Sequence, residues 1–114
     1  MQSDPIDVVV DWLDACRNHD MPLLLSLYAP AATLYCDCTD RAYKGRQDIE
    51  TYWAPRLAAA AASAFEIDEL TDEGDAISLK YTGFEGKPLT VRFWIESGRI
   101  VSSLCGPSAC VQSA

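Results

Sequence analysis

The sequence predicts an α+β domain, with helices leading and a largely antiparallel sheet following. Two observations carry that prediction. Up to Ala60, apolar residues recur three or four apart behind helix-start signals. From Phe65 the apolar period falls to two, and the runs are separated by turn-forming residues. Elements with one apolar face must bury it, so the helices are expected to cover one face of a curved sheet.

The elements follow in order. Asp4 before Pro5 is an N-cap with proline at the first helical position, and Asp7 suits the positive end of the helix dipole. Ile6, Val9, Leu13 and Cys16 then form an apolar stripe that includes Trp12. "RNHD" breaks this helix, and Asp20 caps a second one, "MPLLLSLYA". "AATLYCDC" reads as a strand, and "TDRAYKG" as a turn with a return strand. A third helix starts near Arg46 and buries Ile49, Tyr52, Trp53 and Leu57. Pro55 is expected to end or kink it, although the alanines beyond favour continuation. After Phe65, "DEGD", "FEGKP" and "ESG" separate four strand-like runs. Val91, Phe93 and Ile95 share one face of a strand, with Arg92 and Trp94 on the other. Residues 1–114 are expected to form a single domain, with 107–114 a loose tail.

Composition narrows the function. A chain of 114 residues with 49% apolar content can build one core without staples. A net charge of −8 argues against nucleic acid and against anionic membrane as partners. The acidic N-terminus lacks the basic flank of a secretory signal, and five cysteines make an odd set at uneven spacing. Reduced thiols in a cytoplasm are therefore expected. No phosphate-binding loop is present and no cofactor is expected; a small neutral or weakly charged organic ligand, or none, is what remains.

Three phrases carry a family resemblance: "WLDACRNHDMPLLLSLYAPAATLYC", "YKGRQDIETYWAPRL" and "RFWIESGRIVSSL". Together with the element order they resemble the NTF2-like superfamily, in its branch of ketosteroid isomerases and SnoaL-like polyketide cyclases. The resemblance spans about residues 5–106 and implies a cone: a strongly curved, mostly antiparallel sheet wrapped around three N-terminal helices. It does not fix activity, because this fold carries isomerases, cyclases, dehydratases and binding modules. The isomerases use a helix tyrosine, an aspartate base late in the first strand and a protonated aspartate on a later strand. The resemblance puts Trp12, Cys36 and Val91 at those positions, so none of the three functional residues is matched. Asp37 is one residue from the base position, and a one-residue step along a strand points to the opposite face.

Cys36 and Cys38 raise the question of metal. Structural zinc needs four ligands, usually in pairs two to four residues apart; one residue separates these two, and His19 is the single imidazole. No metal is expected. Redox motifs normally space their cysteines by two residues at a helix start, which a strand does not supply. The resemblance instead places Cys36 and Cys105 in the cavity wall. Inert packing is the plainer reading, since cysteine is among the most buried residue types. The sharper reading makes Cys36 a catalytic nucleophile or base, which needs a nearby cation; Arg41 and Lys44 are expected to lie outside the cone. Cys38 is expected at the rim.

The expected cavity wall comprises Trp12, Tyr28, Cys36, Trp53, Val91, Phe93, Ser103 and Cys105, enclosing a compact apolar molecule with one polar group. An opening of about 300 Å³ or more would suit that role. Two alternatives remain: an isomerase, cyclase or dehydratase that uses Cys36 and Tyr28, and an interaction module whose cone is filled by the same rings. Arg92, Trp94 and Leu104 should face outward, an interface-like composition. The resemblance implies pairing through that convex face, so a homodimer is expected.

Overall fold

The computed structural model describes residues 4–36, 41–60, 64–83, 86 and 88–105. Cys38, Asp37, Cys110 and the 107–114 tail lie outside them, as do the expectations placed there. Three helices, α1 (Pro5–Arg17), α2 (Met21–Ser26) and α3 (Gly45–Ala58), pack on a six-stranded sheet. The strands are β1 (Tyr28–Cys36), β2 (Arg41–Lys44), β3 (Ile67–Asp72), β4 (Ile77–Thr82), β5 (Pro88–Glu96) and β6 (Arg99–Cys105). Their order is β2-β1-β6-β5-β4-β3 in a curved, unclosed sheet; β1 and β6 run parallel and every other pair is antiparallel.

Capping chemistry sets the first two helices. The Asp4 carboxylate accepts from the Ile6 N–H at 3.0 Å, and that of Asp20 from the Leu23 N–H at 3.2 Å. Between them His19 takes φ +53° at an exposed break, away from the core. The second helix is shorter than its apolar pattern suggests. It stops at Ser26, and Tyr28 to Ala31 join β1, because tertiary contacts outbid local propensity. The Ile100 N–H donates to the Leu27 carbonyl at 2.8 Å, and Arg46 donates to the Tyr28 carbonyl through Nε and Nη2 at 3.0 and 2.8 Å. Those bonds draw the chain into the sheet and swing the Tyr28 ring inward.

The third helix buries Ile49, Tyr52, Trp53 and Leu57, as its spacing predicts, and it runs through Pro55 to Ala58. Pro55 is exposed, so the lost backbone bond lies on the solvent side while Trp53 and Leu57 hold the last turn to the core. Ser97 and Gly98, both at positive φ, join β5 to β6 in a two-residue hairpin turn. The inner face of the sheet carries Leu34, Cys36, Leu79, Tyr81, Val91, Phe93, Ile100, Ser103 and Cys105, all buried. The outer face carries Arg92 opposite Leu104 and Trp94 opposite Ser102. Arg92 is exposed, whereas Trp94 and Leu104 are half-buried rather than fully open to water.

Candidate functional site

The cone's interior is built from rings. Trp12 on α1 stands at its centre, with ring centroids 5.6 Å from Trp53, 6.2 Å from Phe65, 5.4 Å from Tyr81 and 5.1 Å from Phe93. All four contacts are edge-to-face, the arrangement that ring quadrupoles favour. Phe65 adopts φ +66° and stacks on Tyr81 at 6.1 Å, its backbone held by an N–H bond to the Thr82 carbonyl and an Arg17 bond to its own carbonyl.

Tyr28 ties this cluster together. Its phenol oxygen accepts from the Trp12 Nε1–H at 3.1 Å and from the Trp53 Nε1–H at 3.3 Å, all three groups buried. Both indoles therefore spend their donors inside the core. Burial pushes the Tyr28 phenol well above its ordinary value, against the two indole bonds that pull it down. Tyr81, wholly enclosed, is likewise pushed up by burial.

A cavity of about 10 Å³ remains among these side chains, room for a single water molecule. Trp12, Tyr28, Trp53, Val91, Phe93, Ser103 and Cys105 line it, as the sequence places them, together with Leu34, Tyr52 and Tyr81. The space is far below what a ligand of even modest size fills, because the rings meet edge to face across the cone. Among the described residues no buried side-chain nitrogen or oxygen lacks a partner.

Cys36 sits beside this cavity. Its sulfur accepts from the Tyr52 phenol at 3.7 Å, and the Cys105 thiol hydrogen-bonds to it from the next strand. The hydrogen bond to Cys36, then burial, holds the Cys105 thiol far above its ordinary value. Tyr52 is pushed up chiefly by burial. The cation near this group is Arg56, whose guanidinium lies 3.8 Å from the Tyr52 ring centroid. Arg41 and Lys44 are exposed, as expected. Sequence reasoning missed Tyr52 and Arg56 as partners of Cys36, although Tyr52 was marked as buried and Arg56 follows it by one helical turn. Among the described residues no three His, Cys, Asp or Glu side chains converge as a metal site would require.

Helices segregated on one face of a curved six-stranded sheet, closing on an aromatic interior, define an NTF2-like cone. The family model for the SnoaL-like domain matches residues 9–103, and the chain belongs to that family. A SnoaL-like protein from Burkholderia thailandensis superposes with a TM-score of 0.78 at 21% identity, over 89% of this chain and 91% of that one. A polyketide-cyclase candidate from Sinorhizobium meliloti is 27% identical over 87% of this chain and 93% of its own, with a TM-score of 0.73. A protein of ketosteroid-isomerase-like fold from Catenulispora acidiphila, solved with trimethylamine, gives 0.71 at 18% identity over 90% and 85%. The sequence has no match among proteins of curated function.

Proposed function

We propose that this SnoaL-like domain works as an association module, a cone closed on its own aromatic core and paired with a second copy through its outer sheet face. The observation that carries the reading is the filled interior: about 10 Å³ remains where a bound molecule would need tens of times more. The isomerase machinery is also unmatched, since Trp12, Cys36 and Val91 occupy its three positions and Trp12 is bonded to Tyr28. Native mass spectrometry of the protein purified from its own host tests this. Two copies with no added mass are expected, and a small molecule retained at one per chain would overturn it.

The pairing face is argued from the sheet register. Thr33, Ser102 and Trp94 form one outward row, and Tyr35, Leu104 and Arg92 the next. Tyr35, Leu104 and Trp94 are each half-buried, so they present adjoining apolar area at the middle of the sheet. Aromatic residues with arginine are the composition of interface centres. A two-fold axis near Trp94 would match this patch to itself. Sedimentation at micromolar concentration should show a dimer that Trp94→Glu converts to monomer with its circular dichroism unchanged. A wild-type monomer, or a dimer indifferent to the substitution, removes this face from the reading.

A second reading has one observation in its favour. Tyr28, Tyr52, Tyr81 and Ser103 bring four hydroxyl-bearing side chains to one small cavity, polar groups able to orient a compact organic molecule if the rings part.

A further inference from the structure

We propose that Cys36 and Cys105 form an oxidative modification site, a dithiol that a hydroperoxide closes to a disulfide across the β1–β6 junction. The register makes the two residues direct partners at the last positions of parallel strands. Neighbouring strands run about 4.7–4.9 Å apart, inside the Cα separation of about 4.4–6.8 Å that disulfides span. Both side chains turn to the inner face, 3% and 7% exposed, and neither is in a disulfide.

The surroundings assign the two thiols different parts. Cys36 receives hydrogen bonds from the Tyr52 phenol at 3.7 Å and from the Cys105 thiol. Tyr52 also hydrogen-bonds the Cys105 sulfur, and Arg56, stacked on the Tyr52 ring, acts on that thiol as well, so what separates the two cysteines is the bond that Cys105 donates to Cys36. Cys105, as donor, keeps its proton. Cys36 is therefore the attacking sulfur and Cys105 the resolving one.

The chemistry balances with a hydroperoxide as oxidant. Cys36 ionises by releasing its proton to water, its thiolate attacks the terminal peroxide oxygen, the O–O bond breaks, and the departing alkoxide takes a proton back from water. Cys36 is left as a sulfenic acid. The Cys105 sulfur then attacks the Cys36 sulfur, the S–O bond breaks, and water leaves with the Cys105 proton. Two thiols lose two electrons, and the hydroperoxide is reduced to an alcohol (water, for hydrogen peroxide) and water. The new bond staples the single parallel pair of the described sheet.

The inference is independent of the association reading and is tested on the full chain. The protein is treated with hydrogen peroxide at neutral pH, alkylated, digested and mapped by mass spectrometry. A Cys36–Cys105 cross-linked peptide is expected, with Cys16 alkylated as a free thiol. In Cys105→Ser, a sulfenic acid trapped by dimedone on Cys36 is expected. Tyr52→Phe and Arg56→Gln should each slow cross-linking. A different pairing in the wild type, or sulfinic acid without any cross-link, overturns the site. Dimedone trapped on Cys105 in Cys36→Ser, with none on Cys36 in Cys105→Ser, overturns the assignment of Cys36 as the attacking thiol.

Discussion

Raising the pH above about 10 is expected to unfold this protein cooperatively, with little change below about 9. Five groups drive the effect: the thiols of Cys16 and Cys105 and the phenols of Tyr28, Tyr52 and Tyr81, all held above their ordinary values of 9.0 and 10.0. Burial is the leading cause for all but Cys105, where the hydrogen bond to Cys36 comes first. Each group is an acid whose folded pKa is raised, so the unfolded chain releases the proton first. The native state then binds more protons than the unfolded one, and stability falls as pH rises through the unfolded values. Each contributes up to about 1.4 kcal/mol per pH unit once the pH is well above its unfolded value, so the five together cost several kcal/mol, on the order of 5, over the first unit above pH 10. A domain of this size has about 5–15 kcal/mol in total, and the loss consumes it within one to two units. Circular dichroism and phenolate absorbance, followed through one titration, check this. The buried phenols should ionise only together with the loss of structure. Phenolate signal from all three at ordinary pH values, with dichroism intact, would mean the core is open to water.

Much of this interior was legible in the sequence, and what escaped has a physical cause. Helix caps at Asp4 and Asp20 and the α3 stripe from Ile49 to Leu57 are local signals, and the structure repeats them. The switch to period two after Phe65 likewise becomes β3 to β6. The Tyr28 segment was misread as helix because its strand depends on Ile100 and Arg46, partners distant in sequence that no local pattern announces. Seven of the eight residues expected in the cavity wall line the small cavity, Cys36 lies beside it, and the sequence left open whether the cone is hollow or filled. Whether Trp12, Trp53, Tyr81 and Phe93 line a space or fill it depends on ring orientation, and edge-to-face angles of 68–89° between Trp12 and the other three are invisible in a one-dimensional pattern. The pairing of Cys36 with Cys105 needed the parallel register, which joins residues 36 and 105 across most of the chain.

Trp12→Ala is expected to be the most damaging single substitution, costing about 3–5 kcal/mol. The side chain is 1% exposed, touches four rings edge to face, and donates one of the two indole bonds to Tyr28. Its loss removes apolar burial, forfeits ring–ring terms of about 0.5–1.5 kcal/mol each, and leaves a hole that rings anchored on separate elements cannot close. In urea the midpoint should drop by about 2 M at an unchanged slope. Trp12→Phe restores a ring without the N–H, and recovery of most of the loss would show that volume outweighs the hydrogen bond. The alanine variant also tests the two functional readings against each other. It leaves an indole-shaped space, and free indole added to the variant stabilises it by mass action if the molecule can reach that space. Saturable recovery of the midpoint would show that the cone admits a compact aromatic molecule, as the ligand reading requires. Full destabilisation with no response to indole is the result expected of a closed core, in which Trp53, Phe65 and Tyr81 still pack on one another beside the vacated space.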